Sequence, residues 1–208
     1  KFPSEDPTRT GRKFMGWATS SSATESNFSI SSAVSDDIAV YAVWSRREFP
    51  LNNSGNVKAN LDNKNNLTIT AVKTSGDMNI ERGKWREMLK MLGGNYSNVW
   101  KDVDVKNISF ETNGIYLPID SSDFFKAFKG EIDGCGKLNT SKVANMSEMF
   151  SYAKNVDRTI ANWDVSNVGN MVYMFKGSGL EYLNLSAWKL NLALLIDPRR
   201  CTKMFEGC

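Results

Sequence analysis

The chain has 208 residues, enough for one or two domains with hydrophobic cores. Hydrophobic residues make up 41% and charged residues 24% of the chain, which is ordinary for a globular protein. The net charge of +3 is too small to indicate a nucleic-acid partner. Histidine is absent, which removes the commonest general base and the usual metal ligand. We therefore expect a protein that is not an enzyme, with no catalytic residue, no cofactor and no metal.

Two aromatic-rich segments mark residues 1–44. Residues 7–17 read PTRTGRKFMGW, and residues 37–44 read DIAVYAVW, an apolar pattern that predicts a strand. Phe14 and Trp17 are expected to share a small core with the second segment. Both segments resemble the Listeria–Bacteroidetes repeat, the B repeat of internalin B type. The resemblance implies a β-grasp-like module that lacks its first strands here.

The middle of the chain predicts a hairpin and a helix. Residues 45–55 are polar and rich in Asn, which is typical of a linker. Two alternating stretches, residues 57–61 and 67–71, predict a β-hairpin. A helix is predicted over residues 80–92, with Asp77 or Asn79 as its cap. Its apolar face consists of Trp85, Met88, Leu89 and Leu92.

A repeat with a period of 25 residues occupies the C-terminal part. Trp163 and Trp188 are one period apart, as are Ile160 and Leu185. A unit of this length cannot bury its own apolar face, so the units are expected to stack, and the hairpin and helix are interpreted as the cap of the stack. The repeated apolar positions are Val143, Met146, Met149 and Phe150, followed by Val168, Met171, Met174 and Phe175, with a last copy at Met204 and Phe205.

Each repeat unit is expected to form a short strand, a turn and a short helical segment. Ile160 and Leu185 mark the strands, while Met171, Met174 and Phe175 have the i, i+3, i+4 spacing of a helix. Stacked units would form a right-handed coil with a parallel sheet on one face. The Met and Phe stripe is expected to be core, because methionine fills irregular gaps well.

The repeat motif also resembles a known family. Residues 140–150 (TSKVANMSEMF) and 162–175 (NWDVSNVGNMVYMF) are similar to units of the BspA-like leucine-rich-repeat surface proteins of bacteria, which read W-D-x-S-x-V-x-x-M-x-x-M-F. The resemblance implies extracellular display, with adhesion or host-molecule binding, and brings no catalytic residue.

The predicted fold class is a β-rich α+β protein. It consists of the partial β-grasp-like module, followed by a short right-handed leucine-rich-repeat-like solenoid with an N-terminal hairpin-plus-helix cap. The predicted boundaries are 1–44 for the module, 45–55 for the linker, 56–107 for the cap and 108–208 for the repeats. Because the chain begins at Lys1 and not at methionine, we expect it to be a piece of a longer protein.

The outward side of the predicted strands is the expected ligand site. Side chains alternate between the two sides of a strand. If the inward side chains are those of Arg158, Ile160, Leu183 and Leu185, the residues between them point outward. Tyr182 is the expected anchor, because tyrosine combines apolar area with a polar tip. The predicted ligand-binding residues are Asp157, Thr159, Tyr182 and Asn184.

An apolar insertion lies between Trp188 and Cys201. Its leucine-rich run is costly to leave in water, so we expect it to be covered. The candidate covers are the next coil, the N-terminal region, a second copy of the chain or a host partner. The predicted interaction residues are Leu194, Leu195, Ile196, Arg199 and Arg200.

The three cysteines, Cys135, Cys201 and Cys208, fall on repeat core positions. They are predicted to be reduced and buried, since a free cysteine packs like a small hydrophobe. A Cys201–Cys208 bridge is the alternative, which secretion would permit. The acidic pairs lack the spacing of a calcium loop and are interpreted as solvated turn carboxylates. These pairs are Asp36 with Asp37, Asp102 with Asp104, and Asp120 with Asp123.

Two classes of function remain. The first is an extracellular adhesin segment, on the cell surface or secreted, whose partner is a host protein or glycan. The second is a structural spacer without a ligand of its own. The short and imperfect array favours binding. The longest apolar run, residues 192–196, is far below the roughly 20 residues of a membrane helix, so we expect no membrane span.

Overall fold

A computed structural model describes residues 6–8, 14–23, 25–29, 31, 37–44, 47–94, 100 and 102–208. Residues 9–13 of the first aromatic motif, and Asp36 of the first acidic pair, lie outside this described part. The molecule is rich in β-structure. Two α-helices occur among the described residues, α1 (Arg82–Met91) and α2 (Leu192–Ile196).

The N-terminal aromatic segments form a two-stranded antiparallel sheet. Strand β1 (Phe14–Ala18) pairs with β2 (Tyr41–Trp44). The Phe14 ring packs edge-on against Trp17, with 5.3 Å between ring centroids, and against Trp44, at 5.8 Å. The described residues of 1–44 therefore form a small strand pair and not the β-grasp-like module that was predicted.

The centre of the molecule is a five-stranded mixed sheet. The remaining strands are β3 (Arg47–Pro50), β4 (Val57–Leu61), β5 (Asn66–Ala71), β6 (Asn107–Phe110), β7 (Ile115–Tyr116), β8 (Glu131–Asp133) and β9 (Leu138–Asn139). The strand order of the five-stranded sheet is β3-β4-β5-β6-β8, antiparallel from β3 to β5 and parallel from β5 to β8. A third sheet pairs β7 with β9 in parallel.

Local chemistry explains the hairpin of β4 and β5. The Asp62 carboxylate accepts bonds from the backbone N–H groups of Lys64 and Asn66, each at 2.8 Å, which closes the turn. Strand β3 lies within residues 45–55, which were expected to be a linker, because Phe49 alternates into the core and is only 2% exposed.

Helix α1 begins two residues later than predicted, and neither expected cap is used. Glu81 holds the N-cap position without a side-chain cap bond. The apolar face buries Trp85, Met88 and Leu89, and the Trp85 ring stacks on Phe124 with 4.0 Å between centroids. Burying a large apolar side chain of this kind contributes about 1.5–3 kcal/mol.

The predicted leucine-rich-repeat-like solenoid is wrong. Residues 158–160, expected to be a strand, lie in a 3-10 helix (Arg158–Asn162), and residues 183–185, the second expected strand, contain no strand. The structure has mixed sheets in place of one parallel strand per unit. Beyond β9, the parallel pairing between units is limited to isolated bridges. The physical cause is local, because Asp157 accepts a bond from Thr159 N–H and so caps a helical turn.

The Met-x-x-Met-Phe stretches form overlapping turns and not helical segments. Bonds from Met149 N–H to Met146 C=O and from Ala153 N–H to Phe150 C=O close two of them. Glu148 and Tyr152 have positive φ angles of 54° and 58°, as the third residue of a type II turn requires. We call these stretches the turn segments; they comprise residues 121–128, 146–153, 171–178 and 201–208.

Successive turn segments are joined by a ladder of backbone hydrogen bonds. Every second N–H donates to a carbonyl of the next segment, as Phe150 N–H does to Met174 C=O at 2.8 Å. The rings follow the same register, with centroid spacings of 5.2, 5.7 and 5.3 Å. The stacked rings are Phe125, Phe150, Phe175 and Phe205.

The repeated tryptophans connect units through their indole N–H groups. Trp163 donates to the Cys135 carbonyl at 2.8 Å, and Trp188 donates to the Ile160 carbonyl at 3.1 Å. Because the indole N–H is buried, it needs such a partner. The 25-residue tryptophan period therefore reflects a hydrogen bond as well as packing. Among the described residues, no helix has the length and apolar character needed to cross a membrane.

Candidate functional site

Two of the predicted ligand-binding residues are occupied by bonds within the protein. Asp157 accepts from Cys135 N–H and from Thr159 N–H, each at 2.8 Å. The Thr159 hydroxyl oxygen accepts from Gly136 N–H at 2.7 Å. These side chains therefore tie two neighbouring 3-10 turns together. Arg158, which was predicted to point inward, is exposed.

The other two predicted residues are exposed to solvent. Tyr182 is 66% exposed, and the Asn184 side chain accepts a bond from Ser186 N–H at 3.0 Å. Leu183 and Leu185, on either side of Asn184, pack partly against the core. The outward direction of Tyr182 and Asn184 agrees with the prediction, although no strand produces it.

Tyr182 and Asp157 line different depressions. Asp157 contributes to a shallow acidic depression of about 320 Å³ that also contains Glu131 and Asp133. Tyr182 lines an open groove of about 640 Å³ beside the fourth turn segment. We call it the terminal groove; its lining residues are Ser178, Gly179, Leu180, Glu181, Tyr182, Leu183, Phe205 and Cys208.

The terminal groove combines aromatic and apolar walls with a few polar groups. Phe205, 48% exposed, faces solvent with one side of its ring while the other side stacks on Phe175. Cys208 donates through its thiol to the Phe175 carbonyl at 2.8 Å, and its sulfur lies 3.5 Å from the Ser178 hydroxyl. Such a surface provides contact area and hydrogen-bonding groups.

The sequence prediction missed Phe205 and Cys208 as groove residues. Both align with core positions of the earlier units, so periodicity predicted that they would be buried. In the fourth turn segment no further unit among the described residues covers them, so Phe205 and Cys208 are exposed. No signal in the residues themselves distinguished these two positions from the buried positions of the earlier units.

The apolar insertion is partly covered by its own chain. Leu194 is 4% exposed and belongs to the core, so it cannot serve as the interaction residue that was predicted. Leu195 and Ile196, on the same short helix α2, are 62% and 73% exposed. Pro198 begins a 3-10 helix (Pro198–Cys201) and does not end a strand.

The two arginines of the insertion already have partners. Arg199 Nε donates to Asp197 at 2.8 Å, although the arginine side chain is 89% exposed. Arg200 donates to the Gly169 carbonyl at 3.0 Å. Arg199 is therefore the more accessible of the two predicted arginines.

The three cysteines have different environments, and all are free thiols. Cys135 is fully buried, and this burial, with smaller effects of Asp157 and Asp133, raises the pKa of its thiol well above the usual value. Partial burial also raises the pKa of Cys201. Cys208 is exposed, so the prediction that all three are buried is wrong.

The acidic pair Asp120 and Asp123 is not simply solvated, as was expected. Arg82 lies 3.3 Å from Asp120 and 3.4 Å from Asp123, and Arg86 lies 2.8 Å from Asp123. Burial nevertheless raises the pKa of Asp123. Within the described residues, no cluster of three or more cysteine or acidic side chains could hold a metal ion.

Comparison with known proteins gives one match. A family model described as "Mycoplasma protein of unknown function, DUF285" matches residues 120–208, which is less than half of the chain. The matched region begins one residue before the first turn segment and ends with the fourth. No curated protein and no solved structure matches the chain.

Proposed function

We propose that this chain is part of an extracellular bacterial surface protein and that it binds a host molecule through the terminal groove. One observation carries the proposal: two exposed aromatic side chains, Tyr182 and Phe205, line the same open groove. Tyrosine and other aromatic residues supply much of the energy in binding hot spots, because they bury a large rigid area.

The surface location is supported by the repeat motif. Residues 162–175 resemble units of the BspA-like surface proteins, and that resemblance is the ground for cell-surface display or secretion. The groove also suits recognition chemically. Leu180 and Leu183 provide apolar contact, while Glu181 and the Ser178 hydroxyl provide polar groups that can orient a ligand.

A structural spacer is the second candidate. It is favoured by the bonds that Asp157 and Thr159 make between neighbouring units, because these bonds engage two of the four side chains that were expected to bind a ligand. A spacer would bind no host molecule through the terminal groove, so the two proposals are separated by a binding measurement.

The test is a screen of the purified 208-residue chain against glycans and extracellular-matrix proteins, followed by titration of the binder with variants. Tyr182→Ala should weaken binding by about 2 kcal/mol, roughly thirtyfold, as expected for a hot-spot tyrosine. Tyr41→Ala is the matched control, because Tyr41 is 44% exposed and lies on β2. Unchanged affinity in Tyr182→Ala would exclude the groove, and a screen without any binder would favour the spacer.

A further inference from the structure

The side of the ladder of turn segments presents residues that the backbone turns outward. Each segment has two positions with positive φ, and these include Tyr152, at 58°, in the second segment and Tyr173, at 56°, in the third. Tyr152 is 51% exposed and Tyr173 is half-buried. Both belong to inner segments, whose backbones pair with a segment on either side. Their exposure is therefore a property of the side of the ladder.

The Tyr152 ring occupies space that Gly177 leaves free. A Cβ on Gly177 would lie 2.7 Å from two carbons of this ring, so a longer residue would displace the tyrosine. The ring therefore packs against the backbone of the third segment, while about half of the residue stays exposed. A tyrosine held in this way offers apolar area with a hydroxyl at its tip.

Lys176 has both tyrosines near its ammonium group. Its Nζ lies 4.7 Å from the centroid of the Tyr173 ring, within the range of a cation–π contact. The hydrogen bond to Glu206 raises the pKa of Lys176, and the Tyr152 and Tyr173 phenols contribute in the same direction. No hydrogen bond of either phenol hydroxyl occurs among the described residues. We call Tyr152, Tyr173 and Lys176 the tyrosine–lysine cluster.

The surroundings of this cluster carry an unbalanced positive charge. The two carboxylate oxygens of Glu206 lie 2.8 Å from Lys176 Nζ and 2.7 Å from Lys203 Nζ. Two ammonium groups thus share one carboxylate, and Glu206 keeps a partner when Lys176 turns towards a ligand. The Lys176 side chain is 30% exposed, so a ligand can reach it. Complementarity of charge therefore favours an anionic ligand.

We propose that the tyrosine–lysine cluster binds an unsulfated glycan chain that contains a uronic acid. Sugar rings pack on Tyr152 and Tyr173, and the carboxylate of the uronic acid accepts a hydrogen bond from Lys176. A sugar ring has a face of C–H groups that packs on an aromatic ring, and its hydroxyls can bond to the free phenols. One surplus ammonium group matches one carboxylate, whereas a sulfated chain carries more anions and would need more cations.

A peptide suits this surface less well than a glycan. Extended peptides often bind by pairing their backbone with that of the protein. In the inner segments those groups already serve the ladder, since Tyr152 N–H donates to Lys176 C=O and Gly177 N–H donates to Glu206 C=O, each at 2.7 Å. Recognition at the cluster must therefore use side chains, and aromatic area with a few polar groups is what a glycan requires.

This surface shares no residue with the terminal groove, so the inference concerns a second site. The test is an NMR titration of the 208-residue chain with a hyaluronan hexasaccharide, in which glucuronic acid alternates with N-acetylglucosamine. Saturable shifts are expected at the amides of Tyr152, Tyr173 and Lys176. The same hexasaccharide with its carboxyl groups reduced to alcohols should bind about tenfold more weakly, because the charged hydrogen bond is lost.

Two results of the titration would overturn the proposal. The first is the absence of saturable shifts at these amides up to about 10 mM hexasaccharide, which corresponds to negligible affinity. The second is tighter binding of sialyllactose at the same amides, which would make a terminal sialic acid the ligand in place of a uronic acid chain.

Protein variants locate the binding. Tyr152→Asn and Tyr173→Asn suit the positive φ angles, since asparagine tolerates them, and each should weaken binding about threefold to tenfold. Lys176→Gln should weaken it about tenfold and remove most of its dependence on salt. Tyr182→Ala, in the terminal groove, and Lys90→Gln, at an exposed position of α1, are the matched controls and should leave it unchanged. If a variant fails to fold, the shifts of the wild type decide.

Glu206→Gln gives a prediction of the opposite sign. Removal of this carboxylate frees Lys176, so the hexasaccharide should bind about twofold to threefold more tightly. Weaker or unchanged binding would contradict the role given to Lys176. Binding that is lost in Tyr182→Ala and kept in Tyr152→Asn would place the glycan in the terminal groove, which would uphold the proposed function and overturn this inference. The reverse pattern would uphold this inference without support for the groove.

Discussion

At the scale of single residues, burial decides the chemistry of the three thiols. Cys135 lies in the core, Cys201 is half-buried and Cys208 is exposed at the terminal groove. The thiolate is the reactive form, so burial that raises the pKa of Cys135 also suppresses its reactivity. The sequence could place all three on repeat positions, but it could not show that their burial differs.

These environments predict three rates of thiol labelling. In the native protein at neutral pH, Cys208 should react first, Cys201 more slowly, and Cys135 only after unfolding. Labelling with a thiol reagent, followed by mass mapping, measures the order. Under denaturing conditions without reductant, all three thiols should react. A count of one would instead indicate the Cys201–Cys208 bridge.

At the scale of elements, the sequence predicted some features well and others not at all. Alternation placed the strands of the β4–β5 hairpin correctly, and apolar periodicity placed α1 to within two residues. The spacing of Met171, Met174 and Phe175 is that of a helix, and the overlapping turns bring the same residues together. Spacing alone therefore could not predict the turn segments. The positive φ angles at Glu148 and Tyr152 have no signature in the sequence, since neither residue is glycine.

One glycine in a turn segment and one in α1 should respond in opposite ways to substitution by alanine. Gly177 has a φ of 59°, and an added Cβ would lie 2.7 Å from the Tyr152 ring, so Gly177→Ala should destabilise the protein by about 1 kcal/mol or more. Gly83 lies in the first turn of α1 with open space around it, so Gly83→Ala should stabilise by a few tenths up to about 1 kcal/mol. Urea unfolding measures both, and equal effects of the two would contradict the turn geometry.

At the scale of the whole molecule, the core covers part of the apolar insertion. Of the predicted interaction residues, Leu195 and Ile196 remain exposed, while Leu194 is covered by the core. Tyr182 could be selected from the sequence as an anchor by its character, but its neighbour Phe205 could not, because the two are 23 residues apart in sequence. Their proximity depends on how the last units pack.

The exposed apolar patch of Leu195 and Ile196 on α2 is too small to form a stable dimer interface. A specific interface buries about 800 Å² per partner, and a five-residue helix offers much less apolar area. Sedimentation velocity should therefore give a monomer for the wild type and for a Leu195→Asp, Ile196→Asp variant. A wild-type dimer that the variant abolishes would show that α2 is a self-association surface.

The central claim is that the turn segments form one hydrogen-bonded ladder, and amide hydrogen exchange of the 208-residue chain tests it most directly. Tyr173, Phe175 and Gly177 donate within the ladder, whereas Lys203, Phe205 and Gly207 have no acceptor among the described residues. The account predicts slow exchange for the first three amides and fast exchange for the last three. Equal protection of the two sets, or fast exchange throughout, would contradict it.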